Sequence, residues 1–205
     1  MSEIISIVNQ KGGVAKTTTA VNLGAALAIA EKRTLIVDMD PQANSTSGLG
    51  LEKYSERTDV YHCLSDGVPI KNVLFDTGLE YLKLAPANKN LVGAELELVE
   101  EDDREFRLKQ ALEGVKKSFD YILIDSPPSL GLLTINAMTA ADSLLIPVQA
   151  EYFALEGVSE LLDTMQRVKA QFNPGLAIRG FLITMADERT NLSGQVEAEG
   201  RNAFG

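Results

Sequence analysis

Between an apolar run, Ile4–Val8, and an alanine-rich segment, Thr17–Ala30, the chain reads Asn9-Gln10-Lys11-Gly12-Gly13-Val14-Ala15-Lys16-Thr17-Thr18. A strand that enters a glycine-containing loop and then a helix is built to bind an anion. Backbone N–H groups of the loop and of the first helical turn point at the same oxygens, and the helix dipole favours negative charge there. Gly12 and Gly13 let the backbone come close without a Cβ in the way. Lys16 is placed to neutralise β- and γ-phosphate charge, and Thr17 to offer its hydroxyl to Mg²⁺. Val14, Ala15 and Thr18 complete the cradle. The strict pattern G-x-x-x-x-G-K-[ST] is not met, because Gln10 and Ala15 stand at its two glycine positions.

Two acidic strand ends belong with this loop. Leu35–Val37 runs into Asp38-Met39-Asp40-Pro41, and Tyr121–Ile124 runs into Asp125-Ser126-Pro127-Pro128. In an open parallel sheet, ligands bind beyond the carboxyl ends of the strands, where an Asp can serve Mg²⁺ directly or through water. Taken singly, each Asp reads equally well as a turn or helix cap. Together with the loop, they define one phosphate site.

The elements that must position these residues follow from the apolar pattern. Further buried runs are Ser143–Val148 and Ile178–Ile183, with a weaker one at Tyr81–Ala85. Helical patterns lie between, at about 91–99, 105–117, 132–140 and 154–172. Strands alternating with helices indicate βαβ crossovers, so the expected fold is doubly wound α/β, a mostly parallel sheet flanked by helices. The 205 residues suit one domain over 1–205.

Composition narrows the function. The formal net charge of −10 argues against a generally basic nucleic-acid-binding surface. Much of the acid lies in Glu95–Glu105, read as a solvated face. The single cysteine, Cys63, permits no internal disulfide and no thiolate cluster, and is read as a small buried hydrophobe. Its neighbour His62, the only histidine, is read as an ordinary side chain. No apolar run approaches the ~20 residues of a membrane span, and no signal peptide is evident. A cytoplasmic protein is expected.

The segments KGGVAKTTTAVNLGAALA, VDMDPQANSTSGLG, YILIDSPPSLGLLTINAMTAAD and IPVQAEYFALEGVSELL resemble the ParA/Soj-type partition ATPases, of the deviant Walker A group that also holds the MinD-type proteins. The resemblance spans Ile4–Gly205. It implies Lys11 as the signature lysine reaching across an ATP-sandwiched homodimer, Lys16 as the P-loop lysine and Thr17 as the Mg²⁺ ligand. It further implies that Asp40 positions the attacking water, that Asp125 acts on Mg²⁺ through water, and that Pro147–Gly157 faces the dimer partner. The family binds nonspecific double-stranded DNA as ATP dimers, associates with the nucleoid, and is released when a ParB-type centromere-binding protein stimulates hydrolysis. Arg189 falls where the family has an arginine implicated in DNA contact.

The sequence departs from the family at two places. Ala15 replaces the glycine before the P-loop lysine, and at φ > 0 an alanine costs about 1–2 kcal/mol. The family also continues for a further strand and helices, so the C-terminal part is expected to be truncated at Gly205, leaving a sheet edge and apolar faces open. Three other readings compete. A MinD-like membrane-cycling ATPase needs a C-terminal amphipathic helix, and EAEGRNAFG shows none. An iron–sulfur carrier of the same superfamily needs paired cysteines. The third is a nucleotide- or DNA-binding form with little turnover, because of Ala15 or the missing tail.

Overall fold

The computed structural model describes residues 2–53, 56–149 and 154–186, with the side chains of 154–157 left aside. Arg189 and residues 150–153 of the segment 147–157 lie outside those residues.

The strands are β1 (Glu3–Ile7), β2 (Thr34–Asp38), β3 (Phe75–Asp76), β4 (Leu82–Ala85), β5 (Tyr121–Asp125), β6 (Ser143–Gln149) and β7 (Ala177–Thr184). They form one sheet in the order β3-β4-β2-β5-β1-β6-β7. Every pairing is parallel except that of the two-residue β3 with β4. The helices are α1 (Lys16–Ile29), α2 (Asn44–Gly48), α3 (Val60–Ser65), α4 (Leu91–Glu97), α5 (Arg107–Leu112), α6 (Leu132–Ala140) and α7 (Ala154–Gln171). The expected doubly wound α/β architecture is the one observed.

The central strands read as unbroken apolar runs because both of their faces are covered. Along β1, Ile5 and Ile7 pack with Ala20 and Ala28 of α1, with Ile36 of β2 and with Leu82 and Leu84 of β4. Ile4 and Val8 turn the other way, into a larger cluster that includes Leu64 of α3, Leu108 and Leu112 of α5, Leu133 of α6 and Leu161 of α7. Each of these isoleucine, valine and leucine side chains contributes about 1.5–3 kcal/mol on burial. Gly24 sets how closely α1 lies on the sheet: a Cβ there would sit 2.6 Å from Ile36 Cδ1.

The helix expected over 105–117 is broken. A 3₁₀ turn at Arg104–Phe106 leads into α5, and a second at Glu113–Val115 ends it around Gly114, which lowers helix stability by ~1 kcal/mol relative to alanine. Two short helices, α2 and α3, and the antiparallel β3 were not expected. On the far side, β7 pairs with β6, and Ile178 and Leu182 on it are about 40% exposed. Among the described residues no helix is long and apolar enough to cross a membrane.

Cys63 is buried, and its thiol is pushed up to about 12 by desolvation and then by the nearby Asp59 carboxylate. A buried thiol held in its neutral form is a poor nucleophile. Cys63 is therefore expected to react with an aromatic disulfide reagent at pH 8 only at the rate of unfolding, rising steeply in urea. Fast stoichiometric reaction in buffer would contradict the burial.

Candidate functional site

The carboxyl ends of three adjacent strands create the site. In register, Ile7 of β1 lies beside Asp125 of β5, which lies beside Asp38 of β2. The loop after β1 and the acids after β2 and β5 thus emerge on one edge within two strand spacings, ~10 Å.

The loop is tied down at both ends. Asn9 donates from Nδ2 to the Pro147 carbonyl at 2.7 Å, and its Oδ1 accepts from Lys11 N at 3.0 Å. Thr184 Oγ1 donates to the Val14 carbonyl at 3.2 Å, anchoring the loop to β7. Gly13 has φ +77°, which glycine adopts without strain, and Cβ atoms built at Gly12 and Gly13 meet nothing within 4 Å. Ala15, the residue preceding α1, sits at φ 68°, ψ 30°, in the left-handed region. The condition set by the sequence is met: this alanine carries about 1–2 kcal/mol of backbone strain.

Lys16 is buried and donates from Nζ to the Lys11 carbonyl at 3.0 Å. Desolvation lowers its pKa, and the negative charges of Asp125 and Asp40 work against that. Thr17 hydrogen-bonds the Asp125 carboxylate, as does Ser45 Oγ at 2.7 Å. Thr18 is exposed at the start of α1. Lys11 is partly exposed at the mouth of the loop.

Asp40 is 6% exposed and accepts from Gln42 N at 2.9 Å through Oδ1. Asp38, which the sequence marked only as part of an acidic strand end, proves to be the hub beneath it. Its Oδ1 accepts from Asp40 N at 3.1 Å, and its Oδ2 from Thr46 N and Thr46 Oγ1 at 2.8 and 2.7 Å. Thr46 Oγ1 in turn accepts from Ala87 N at 3.0 Å, joining the segment after β4 to the network. Asp38 and Asp125 therefore fix α2 from below, and α2 fixes the turn that carries Asp40. Ala43, the residue before α2, is a second left-handed alanine, at φ 51°. Neither Asn9, Ser45 nor Thr46 carried a sequence signal beyond its position next to a motif.

Burial, followed by the neighbouring Asp125, pushes Asp38 up to about 7; burial pushes Asp125 up to about 6 despite the hydrogen bonds from Ser45 and Thr17. Between the ordinary carboxylate range and about 7, the folded protein then holds more protons than the unfolded chain, so this pair's contribution to stability falls as pH rises through that window. We expect Asp38→Asn to flatten the decline of urea-unfolding free energy between pH 5 and 7, measured without nucleotide or Mg²⁺. An unchanged slope would contradict the shift.

A divalent cation fits this chemistry. The donors are oxygens, carboxylates outnumber the single buried ammonium, and Asp125 Oδ1 is buried with no hydrogen-bond partner. Thr17, Asp40 and Asp125 are side chains at this edge that could hold it or its waters. Among the described residues no group of three His, Cys, Asp or Glu forms a protein-only metal cage. A hard ion completed by phosphate oxygens matches that arrangement.

The AAA domain family matches residues 2–178. The chromosome partitioning protein ParA of Myxococcus xanthus is 54% identical over all of this chain and 72% of its own length. The sporulation initiation inhibitor protein Soj of Bacillus subtilis is 56% identical over all of this chain and 81% of its own. This chain belongs to the ParA/Soj family of partition ATPases. Among solved structures, a cobyrinic acid a,c-diamide synthase of Mycobacterium smegmatis, with bound ATP analogue and magnesium, superposes with TM-score 0.94 at 40% identity, covering all of this chain and 83% of that one. A putative plasmid partition protein of Borrelia burgdorferi bound to AMPPNP superposes with TM-score 0.83 at 28% identity, covering 98% and 83%. The ParA/Soj fold is thus common to the ATP-analogue-bound structures and to this chain.

Proposed function

We propose that this member of the ParA/Soj family is a DNA partition ATPase that binds Mg-ATP on the Lys11–Thr18 loop. It dimerises around the nucleotide, binds nonspecific double-stranded DNA in that state, and hydrolyses ATP when a ParB-type partner stimulates it. One observation supports the site above all: the loop, Asp40 and Asp125 emerge from three neighbouring strands at one sheet edge. On this reading Lys16 and the loop amides hold the β- and γ-phosphates, and Thr17 and Asp125 hold the metal ion and its waters. Asp40 orients the attacking water, and Lys11 acts on the phosphates of the opposite protomer. Magnesium supplies charge neutralisation across the phosphates. Asp38 contributes by holding the turn that presents Asp40. DNA contact through Arg189 and a nucleoid-associated cytoplasmic location complete the proposal.

Phosphate release measured with duplex DNA and the cognate ParB-type protein tests it. Turnover that rises at least tenfold with both supports the partition reading. Turnover indifferent to DNA and partner, in protein that binds ATP, would contradict it.

The strain at Ala15 favours the low-turnover form as a second reading. Ala15→Gly removes about 1–2 kcal/mol of strain and returns about 0.4–1 kcal/mol through the more flexible unfolded chain. A net gain of about 0–1.6 kcal/mol is expected, raising Tm by up to about 3–6 °C. If the glycine variant binds or hydrolyses ATP where the alanine chain does not, the low-turnover reading holds. Equal turnover by both would discard it.

A further inference from the structure

Beyond the end of β4, on the same sheet edge as the loop, lies a cleft of about 590 Å³ lined by Lys53, Glu56, Arg57, His62, Lys89 and Asn90, with Thr58 and Asn88. In a chain of net charge −10, three cations here face one acid. Arg57 lies over the Phe75 ring, 5.6 Å from its centroid, which fixes the guanidinium plane. Its Nε and Nη2 are buried with no hydrogen-bond partner among the described residues, an unfavourable arrangement for a charged group. The nearest buried acid, Asp59, is already engaged by Tyr61 N, His62 Nδ1 and Asn88 Nδ2. Lys53 Nζ donates to the neutral Asn44 Oδ1 at 2.7 Å. Among the described residues, no salt bridge engages Lys53, Arg57 or Lys89.

We propose that this cleft is a second anion site that takes a phosphomonoester on Arg57, Lys53 and Lys89. Three cations against Glu56 and the neighbouring Asp59, whose carboxylate interacts with the Arg57 charge, leave the cleft net positive, and a phosphomonoester carries the higher anionic charge that such a lining attracts. Arg57 brings a permanent guanidinium charge to the cleft wall, which suits phosphate oxygens. Lys89 and Asn90 also line a shallower depression with Tyr61, Gly93 and Glu97, which gives the body of an ester room beside its phosphate. The site adjoins the ATPase centre: Lys53 holds Asn44 at the start of α2, and Ala87, next to Asn88, donates to Thr46 on Asp38.

The only histidine in the chain lines this cleft, so its ring protons report occupancy by NMR. Inorganic phosphate, glycerol 3-phosphate and a short duplex without terminal phosphates are titrated separately at pH 8, with ionic strength held constant by chloride. Saturable His62 shifts with phosphate and glycerol 3-phosphate are expected. The shifts should survive in Lys16→Ala, which removes the loop ammonium, and weaken at least tenfold in Arg57→Gln and in the exposed Lys89→Gln. Dispersed methyl resonances verify folding, and Lys89→Gln decides if Arg57→Gln fails to fold. Four results would overturn the assignment: no saturable shift, a shift unchanged in Lys89→Gln, a shift lost with Lys16→Ala, or a response to duplex but not to free phosphate. The last would move the source to a nucleic-acid backbone.

Discussion

Lys16→Ala is expected to weaken ATP binding by about 100-fold or more. An ammonium that makes charge-assisted hydrogen bonds to phosphate contributes about 1.5–3 kcal/mol per bond, and each 1.4 kcal/mol is a factor of ten. In the structure, burial lowers the pKa of Lys16 while Asp125 and Asp40 oppose that. Removing the ammonium leaves those acids to repel the triphosphate as well. Equilibrium dialysis with radiolabelled ATP reads the loss directly. Affinity within threefold of the parent, in folded protein, would mean that the phosphates lie elsewhere.

The second large effect is expected at Asp40, and it separates binding from chemistry. Asp40→Asn should lower ATP turnover by about 10²–10⁴-fold, the range for losing a group that positions or deprotonates a nucleophile. ATP affinity should stay within about threefold, because Asn keeps the size and the oxygen that accepts from Gln42 N. Single-turnover hydrolysis beside a binding isotherm makes the distinction. Equal losses in both would assign Asp40 to nucleotide binding and leave the water without its positioning group.

The centre of this fold is readable in the sequence because parallel strands covered on both faces must be apolar throughout, and each ends abruptly where the chemistry begins. Ile4–Val8, Leu35–Val37 and Tyr121–Ile124 therefore mark the strands to within a residue or so and deliver Lys16, Asp40 and Asp125 to one edge. Helix α2 escapes such reading. Its sequence, Asn-Ser-Thr-Ser-Gly, has no apolar periodicity, and its stability comes from Ser45 on Asp125 and Thr46 on Asp38, contacts distant in sequence. Helix α3 does carry a signal, an Asp59 cap closed by His62 three residues on. It is hidden because a capping box is normally sought with Glu or Gln at that position. The part played by Asp38 shows the same limit: type and place make it acidic and near the site, and only the folded turn reveals what it holds.

A metal-dependent nucleotide site at the end of β1 is the central requirement for this chain to act as an ATPase. The most direct measurement is a calorimetric titration of the chain with ATP, with Mg²⁺ present and with EDTA. An all-oxygen, acid-rich site with a buried unpartnered Asp125 Oδ1 predicts saturable binding at least tenfold tighter with Mg²⁺. Binding of equal strength in EDTA, or none at all by folded protein, would contradict it.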